Sequence, residues 1–282
     1  MLSITSAAAM TAISRQARRA GKRVGFVPTM GALHQGHLSL VRAARTQCDV
    51  VAVSIFVNPK QFGPNEDFAN YPRTLESDSA LLAEEMVDYL FCPAVVEMYP
   101  SGAAAWVKVE GISDRLDGRS RPGHFQGVTT VVAKLFNIVQ PDLSFFGQKD
   151  AAQTAIIRQM VRDLSFDVEI VVCPIVREPD GLALSSRNVY LSPEERKHAT
   201  VLSRALIRVQ GLFNQGERDA ARLAAAGKEV IAEEYGVRLD YFEVVNPDTL
   251  ENVRDTAAGA LVAVAAHVGS TRLIDNIVLR EK

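Results

Sequence analysis

The chain has 282 residues and a net charge of -2, from 31 lysines and arginines against 33 aspartates and glutamates. This length predicts about two domains. A composition of 48% hydrophobic and 23% charged residues is typical of a globular protein and excludes a disordered chain. The near-neutral net charge excludes a general nucleic-acid binder. The 3 widely spaced cysteines each lie in or beside an apolar run, which indicates buried thiols in a reducing compartment rather than a disulfide framework or a zinc site.

The amino-terminal segment is basic, since the first aspartate is Asp49 and five arginines and lysines precede Val24. Transit peptides share that composition, but a strand already begins at Val24, so we expect the segment to belong to the folded protein. A stretch without acidic residues also creates a positive field for an anionic ligand. The longest run of small apolar residues, 257–268, is shorter than the roughly 20 residues that a membrane span needs.

Short apolar runs alternate with amphipathic segments in the first part of the chain. Strands are predicted at 24–27, 50–57, 89–91, 143–146 and 168–172, and helices at 38–46, 75–86, 128–139 and 151–163. The run 50–57 is almost continuously apolar, which is typical of a parallel strand buried on both faces. The alternation predicts an α/β fold with a doubly wound, Rossmann-like parallel sheet, in which ligands bind beyond the carboxyl ends of the strands.

The pattern changes after residue 176. Helices are predicted at 193–212 and 219–235, followed by strands at 241–245, 261–265 and 274–278. We therefore expect a Rossmann-like domain over 1–176 and a smaller α+β domain over 177–282, with residues 177–188 as the joining loop.

The segment 28–37 follows the strand at 24–27 and opens a helix, and it contains Gly31, His34, Gly36 and His37. A glycine-containing turn at a helix N-terminus presents backbone N–H groups to a phosphate, and two imidazoles add donors. The alternative is a surface turn with two incidental histidines. The place of the turn at the carboxyl edge of the sheet favours phosphate binding, and the lack of a third ligand at useful spacing gives a metal site little support.

Two further polar segments carry donors that suit phosphates. Residues 146–150 end a strand and begin a helix, so Lys149 is expected at the same edge of the sheet, although a capped helix with a solvated lysine is the alternative. Residues 184–188 offer two serine hydroxyls and Arg187, which suit a polyphosphate, although a plain linker is the alternative. The three segments predict a nucleoside triphosphate site without a P-loop, and no Gly-x-Ser-x-Gly motif supports a hydrolase.

Motifs spread along almost the whole chain now identify a family. They lie at 27–37, 54–59, 61–62, 71–74, 121–125, 149–150 and 180–188. In this order they resemble the pantoate–β-alanine ligases, the pantothenate synthetase family of the nucleotidyltransferase superfamily with His-x-Gly-His signatures. The first motif alone would indicate only the superfamily.

The resemblance implies a two-step ligation. ATP adenylates the carboxylate of (R)-pantoate with release of pyrophosphate, and β-alanine then attacks the pantoyl adenylate to give pantothenate and AMP. It also implies Mg²⁺, small-molecule partners without nucleic acid or membrane, a cytoplasmic homodimer, and a product used in coenzyme A synthesis. The domain over 1–176 would bind nucleotide and pantoate, and the domain over 177–282 would serve as lid and dimer domain.

The resemblance also implies site residues. The expected catalytic residues are His34, His37, Lys149 and Arg187. The expected ATP contacts are Met30, Gly31, Ala32, Leu33, His34, Gln35, Gly36, His37, Gly147, Gln148, Lys149, Asp150, Val176, Leu184, Ser185, Ser186 and Arg187. Pantoate and β-alanine would contact Gln61, Gln153 and Arg121, and Asp78 would help to bind the metal. Family members commonly carry Glu where this chain has Gln148, so a carboxylate role at that position is not expected here.

Three other classes share part of these signals. An aminoacyl-tRNA synthetase uses the same adenylation chemistry but needs an RNA-binding module and a basic face. A nucleotidyltransferase acting on a phosphorylated acceptor shares the first motif. A non-catalytic nucleotide sensor would bind ATP without turnover that depends on pantoate.

Overall fold

The computed structural model describes residues 1–64 and 66–281. The strands are β1 (Leu2–Ile4), β2 (Val24–Thr29), β3 (Val50–Ile55), β4 (Tyr89–Phe91), β5 (Leu143–Gly147), β6 (Glu169–Cys173), β7 (Val237–Val245), β8 (Ala260–Val268) and β9 (Thr271–Leu279). The helices are α1 (Ala7–Arg19), α2 (Gln35–Gln47), α3 (Leu75–Glu84), α4 (Val95–Met98), α5 (Asp117–Ser120), α6 (His124–Val139), α7 (Ala151–Asp163), α8 (Pro193–Ala199), α9 (Val201–Asn214) and α10 (Ala220–Ala232).

The larger sheet is parallel and has the strand order β1-β4-β3-β2-β5-β6. Its central strands are fully buried, as their β-branched and aromatic residues require; Phe26, Val53 and Phe145 have no exposed surface. The strand order reverses at β2, which pairs with β3 on one side and β5 on the other. The predicted doubly wound sheet is confirmed, and the point of reversal is where such sheets form a ligand crevice.

The first 23 residues form two elements that the sequence analysis did not predict. Strand β1 pairs with β4, and Ser6 caps α1, whose N–H at Ala9 bonds the serine hydroxyl. Helix α1 is amphipathic but polar on average, and it buries only Met10, Ser14 and Ala17, so no apolar run marks it in the sequence.

The predicted single helix over 193–212 is wrong. The structure has two helices there, α8 and α9, which meet at Thr200. The helical bonding is interrupted there, because the N–H of Thr200 bonds the carbonyl of Lys197, three residues back instead of four. Helix α9 buries Leu202, Leu206 and Val209 in the apolar core of unit 2.

Contacts divide the chain into two compact units. Unit 1 comprises Met1–Ser113, Arg121–Gly147 and Ile156–Pro174, and unit 2 comprises Asp114–Ser120, Gln148–Ala155 and Ile175–Lys282. Unit 1 contains the parallel sheet, with α2 packed on strands β2, β3 and β5. Unit 2 is built on the antiparallel sheet β7-β8-β9, on which α9 and α10 pack. The described residues include no helix that is both long and apolar enough to cross a membrane.

Candidate active site

The turn between β2 and α2 carries the histidine motif. Gly31 has a φ of +85° and Ala32 a φ of +50°, so two consecutive residues adopt the left-handed conformation in this tight turn. His34 then caps α2, because its Nδ1 accepts the N–H of Gly36 at 3.1 Å, and His37 Nδ1 accepts the N–H of His34 at 3.3 Å.

These two bonds assign the imidazole protons. A backbone N–H only donates, so Nδ1 of both rings is an acceptor and each neutral ring carries its proton on Nε2. The rings of His34 and His37 lie 4.1 Å apart between centroids. The turn therefore places two imidazoles, each with its proton on Nε2, at the N-terminus of α2, where the helix dipole also favours an anion.

Asp78, on the first turn of α3, holds this turn in place. Its carboxylate accepts the N–H of Ala32 at 2.9 Å, the N–H of Leu33 at 2.8 Å and the hydroxyl of Thr74 at 3.2 Å. The residue is only 2% exposed. These bonds favour a positioning role for Asp78; its predicted role as a metal ligand stays a prediction.

Gln61 ends a short 3-10 turn, Pro59–Gln61, that follows β3. Its side-chain amide donates to the sulfur of Met30 at 3.0 Å and accepts from Asn58 Nδ2 at 3.0 Å. The structure thus joins a predicted pantoate residue to a predicted ATP residue within unit 1. Asn58 is 1% exposed and was not singled out for this role; only its neighbours in space reveal it.

Asn58 is itself fixed by two partners. Its Nδ2 also donates to the carbonyl of Gly127 in α6 at 3.1 Å, and the hydroxyl of Tyr99 donates to its Oδ1 at 2.8 Å. Burial raises the pKa of Tyr99 to about 12, so that hydroxyl remains a donor. A Cβ on Gly127 would lie 2.7 Å from the Cα of Gln61, so the helix approaches the turn too closely for any side chain there.

Arg121, predicted to contact pantoate or β-alanine, forms a two-pronged ion pair with Glu66, at 2.7 and 2.6 Å. Burial opposes ionisation of Glu66, but the hydrogen bonds and charge of Arg121 outweigh it and hold the pKa of that carboxyl below its usual range. Arg121 also contacts Nε2 of His124 at 3.0 Å, and His124 Nδ1 lies 2.8 Å from the carbonyl oxygen of Gln61. Because the guanidinium only donates and the carbonyl only accepts, His124 is neutral with its proton on Nδ1. The ion pair therefore supports the backbone of Gln61.

A cavity of about 340 Å³ opens beside the histidine turn. It lies at the carboxyl ends of β3 and β4, and Met30, Gly31, Phe56 and Asp78 contribute to its lining. It lies on the carboxyl edge of the sheet, as ligand sites in such folds do, but to one side of the reversal of strand order at β2.

In unit 2, the residues predicted to contact ATP lie in two segments. The first is the 3-10 turn Gln148–Asp150, in which Lys149 Nζ lies 3.5 Å from the Asp150 carboxylate. Gln153 follows in the first turn of α7 and is half-buried. Gly147, at the end of β5 in unit 1, has nothing within 4 Å of where a Cβ would stand, so its backbone is open to a close approach.

The second segment is a hairpin that brings Val176 and Leu184 together, since the N–H of Leu184 donates to the carbonyl of Val176 at 3.0 Å. Ser185 then caps the 3-10 helix Ser186–Tyr190 by accepting the N–H of Arg187 at 3.3 Å. Arg177 braces the hairpin, because it donates to the carbonyl of Gly181 and to the carboxylate of Asp275.

The described part of the chain holds no cluster of three or more histidine, cysteine, aspartate or glutamate side chains that could hold a metal ion. The three cysteines are free thiols. Burial raises the pKa of Cys48 and of Cys92 to about 11, so both stay protonated and weakly reactive at neutral pH.

Comparisons with known proteins identify the family. The model of the family described as pantoate-beta-alanine ligase matches residues 3–278. A pantothenate synthetase from Koribacter versatilis is 63% identical over 98% of this chain and 95% of its own length, and one from Acidobacterium capsulatum is 65% identical over 92% and 87%.

Solved structures have the same fold. Pantothenate synthetase from Thermus thermophilus has a TM-score of 0.93 and 51% identity, and covers 98% of this chain and 99% of its own. Pantoate-beta-alanine ligase from Francisella tularensis, in complex with beta-gamma ATP and beta-alanine, has a TM-score of 0.81 and 35% identity, and covers 99% and 97%. The fold and the family match define the class as an ATP-using ligase. Within that class, the chain belongs to the pantoate-beta-alanine ligase family, as the motifs predicted.

Proposed function

We propose that this protein condenses (R)-pantoate with β-alanine at the expense of ATP, giving pantothenate, AMP and pyrophosphate through a pantoyl-adenylate intermediate. The observation that carries the proposal is the family match over residues 3–278, together with the paired imidazole donors at the head of α2. The relative from Francisella tularensis was solved with an ATP analogue and beta-alanine, which supports the same two substrates here.

In the first step a carboxylate oxygen of pantoate attacks the α-phosphorus of ATP. The new P–O bond gives a mixed acyl–phosphate anhydride, and the bond from the α-phosphorus to the bridging oxygen of pyrophosphate breaks. Negative charge grows on the α-phosphate and on the departing pyrophosphate. We propose that the Nε2–H groups of His34 and His37 donate where this charge develops, at the N-terminus of α2, whose dipole also favours negative charge. The unit 1 residues proposed to contact ATP are Met30, Gly31, Ala32, Leu33, His34, Gln35, Gly36, His37 and Gly147.

Residues of unit 2 carry cations and hydroxyls that suit phosphate oxygens. We propose that Lys149 and Arg187 neutralise phosphate charge and that Ser185 and Ser186 donate to phosphate oxygens. The remaining proposed contacts are Gln148, Asp150, Val176 and Leu184. The chemistry needs no nucleophilic side chain, because the substrate carboxylate attacks and the protein holds two anions that repel each other.

In the second step the β-alanine amine attacks the acyl carbon, the acyl–phosphate bond breaks and AMP leaves, while the amine nitrogen loses a proton. We propose that Gln61 and Gln153 hold pantoate and that Gln61 lies near β-alanine. The Gln61 amide already has its orientation fixed by Asn58 and Met30. Its second N–H and its second oxygen lone pair suit the hydroxyl and carboxylate groups of pantoate. We propose that Arg121 contacts pantoate or β-alanine. Its guanidinium is paired with Glu66 and lies 3.5 Å from the backbone carbonyl oxygen of Gln61.

Mg²⁺ is proposed to arrive with ATP. Magnesium is usually held by one or two carboxylates plus substrate phosphates, and when bound it neutralises phosphate charge. Asp78 is the proposed protein ligand, but both of its carboxylate oxygens accept hydrogen bonds from the histidine turn. The described residues therefore do not form a cage of carboxylates around the ion.

We also propose a cytoplasmic homodimer, as the family resemblance implies. Sedimentation velocity over a range of concentrations tests the dimer; a single monomeric species at micromolar concentration would contradict it. Fluorescence microscopy of the tagged protein in its own cells tests the location, and enrichment at the envelope would contradict it.

The direct test of function is turnover by the purified chain. Pyrophosphate release should require pantoate, and AMP release with pantothenate formation should require β-alanine as well. Release that is driven by a phosphorylated acceptor, a mobility shift with tRNA, or ATP binding without turnover would instead favour one of the three other classes.

Lys149→Ala tests the proposed chemistry within the site. Losing one preorganised donor to developing charge costs about 10²–10³ in rate. We expect a loss of that size in single-turnover adenylate formation, with an unchanged melting curve. The matched control is Lys197→Ala, which removes a lysine that is 74% exposed and paired with Glu194 on α8. Equal rates for the two variants would remove Lys149 from the mechanism.

A further inference from the structure

A single side chain of β9 holds the turn that carries Lys149. Nδ2 of Asn276 donates to the carbonyl of Gln148 and to the carbonyl of Lys149, both at 2.9 Å. Its Oδ1 accepts from Nε2 of Gln148, also at 2.9 Å. Both N–H groups and the oxygen of this amide are therefore used on one turn.

Asn276 is 3% exposed, so these bonds are formed in the absence of competing bulk water. Removing this amide would leave two buried carbonyl groups without hydrogen-bond donors, which is unfavourable. The three bonds reach across 127 and 128 positions of the chain, so no local turn geometry replaces them.

The neighbouring residue fixes the strand at this position. Asp275 is 3% exposed and accepts both terminal nitrogens of Arg177, at 2.6 and 2.9 Å. The N–H of Asn276 donates to the same carboxylate at 2.8 Å. The backbone from which the Asn276 amide extends is thus tied to the hairpin that contains Val176 and Leu184.

We infer that Asn276 is a positioning residue for Lys149, an inference that rests on the function proposed above. The lysine side chain has four flexible methylenes, so the direction of its ammonium depends on where the backbone places its Cα. Two of the carbonyls that set this backbone are bonded by Asn276. The amide does not contact a reacting atom; it acts through the turn.

The side chain of Gln148 belongs to the same set of hydrogen bonds. Its amide nitrogen donates to Asn276, which a carboxylate at this position does not do. The amide at 148 therefore completes the set of bonds around Asn276.

Two variants test the inference. Asn276→Ala removes all three bonds, and Asn276→Asp keeps an acceptor for Gln148 but has no N–H for the two carbonyls. A displacement of about 1 Å in a catalytic group is known to cost up to about 10²-fold in rate. We therefore expect kcat for adenylate formation to fall about 10- to 100-fold in both variants, while the KM for ATP changes less than about threefold, because the lysine acts on charge that develops during the reaction.

The control variant is Leu273→Ala, on the same strand. Leu273 is 5% exposed and belongs to the apolar core of unit 2, so its truncation destabilises the sheet. Melting curves for all variants and rates measured well below each Tm separate stability from positioning. We expect Leu273→Ala to lower the Tm at least as much as Asn276→Ala while its kcat stays within about twofold of wild type.

Folded Asn276 variants with wild-type kcat would overturn the inference, and so would a loss of kcat in Leu273→Ala that matches theirs. If Asn276→Ala does not fold, Asn276→Asp, which keeps the volume of the side chain, supplies the comparison. Wild-type protein that releases no pyrophosphate with pantoate would instead contradict the proposed function, so the two failures are distinguishable.

Discussion

Asp78→Asn is the sharpest perturbation that unit 1 offers. The carboxylate accepts the N–H groups of Ala32 and Leu33, one on each oxygen, and the Thr74 hydroxyl. An asparagine has nearly the same shape but only one oxygen, so its NH₂ group must face one of the two backbone N–H groups. We expect the histidine turn to shift and adenylation to slow.

The magnitude follows from the bonds that are lost. A hydrogen bond to a charged group contributes about 1.5–3 kcal/mol, and a buried donor left without an acceptor costs about 1–3 kcal/mol. The two values count parts of the same loss and are not simply added. We therefore expect the free energy of unfolding to fall by about 2–4 kcal/mol. At about 2 °C per kcal/mol for a chain of this length, the Tm should fall by about 4–8 °C. A shift of the turn by a fraction of an ångström should cost roughly tenfold to a hundredfold in rate.

The assay is single-turnover adenylate formation with a Mg²⁺ titration, alongside a melting curve. Glu76→Gln is the matched control, because Glu76 is an exposed carboxylate in the same first turn of α3 and faces the same helix dipole. If Asp78 acts by positioning, extra Mg²⁺ does not restore the rate. A rate restored by excess Mg²⁺, or an activity loss with an unchanged Tm, would refute the positioning role and favour metal binding.

Two further predictions concern the support of Gln61. Gly127→Ala places a Cβ 2.1 Å from the carbonyl oxygen of Lys60, the residue before Gln61, so the pantoate KM should rise about tenfold in steady-state assays. The control is Gly211→Ala, where a Cβ meets nothing within 4 Å and the pantoate KM should stay unchanged. Equal pantoate KM values for the two variants would contradict this prediction. Glu66→Gln should lower the Tm at pH 7, and the difference should vanish as the pH falls below the usual carboxyl value of 4.5. The sign follows because Arg121 lowers the pKa of Glu66 in the folded state. The ion pair therefore stabilises the protein above the unfolded pKa of the carboxyl group, and this stabilisation is lost on acidification. A Tm difference that stays constant from pH 7 to about 3 would count against the pair.

The sequence by itself determined the class of fold. Apolar runs such as that of β3, separated by amphipathic helices, allow few solutions other than a parallel sheet with helices on both faces. It also located the histidine turn, because a turn from strand to helix is a local feature whose residues are neighbours in the chain. The motifs predicted the family on the same local basis, and the family is confirmed.

Only the tertiary structure decided which side chains hold these local motifs in place. Asp78 bonds the turn across 45 and 46 positions, and Asn276 bonds the Lys149 turn across 127 and 128. In the sequence, Asp78 is an acidic residue in the first turn of a helix and Asn276 a polar residue in a strand, and both patterns are common on solvated surfaces. A hydrogen bond between distant segments leaves no periodic signal, because the periodicity of a helix or strand records which face is apolar and not which polar group lies opposite. The fold could therefore be predicted from hydrophobic spacing. The side chains that orient the histidine and lysine turns could not, because they become neighbours of those turns only when the chain has folded.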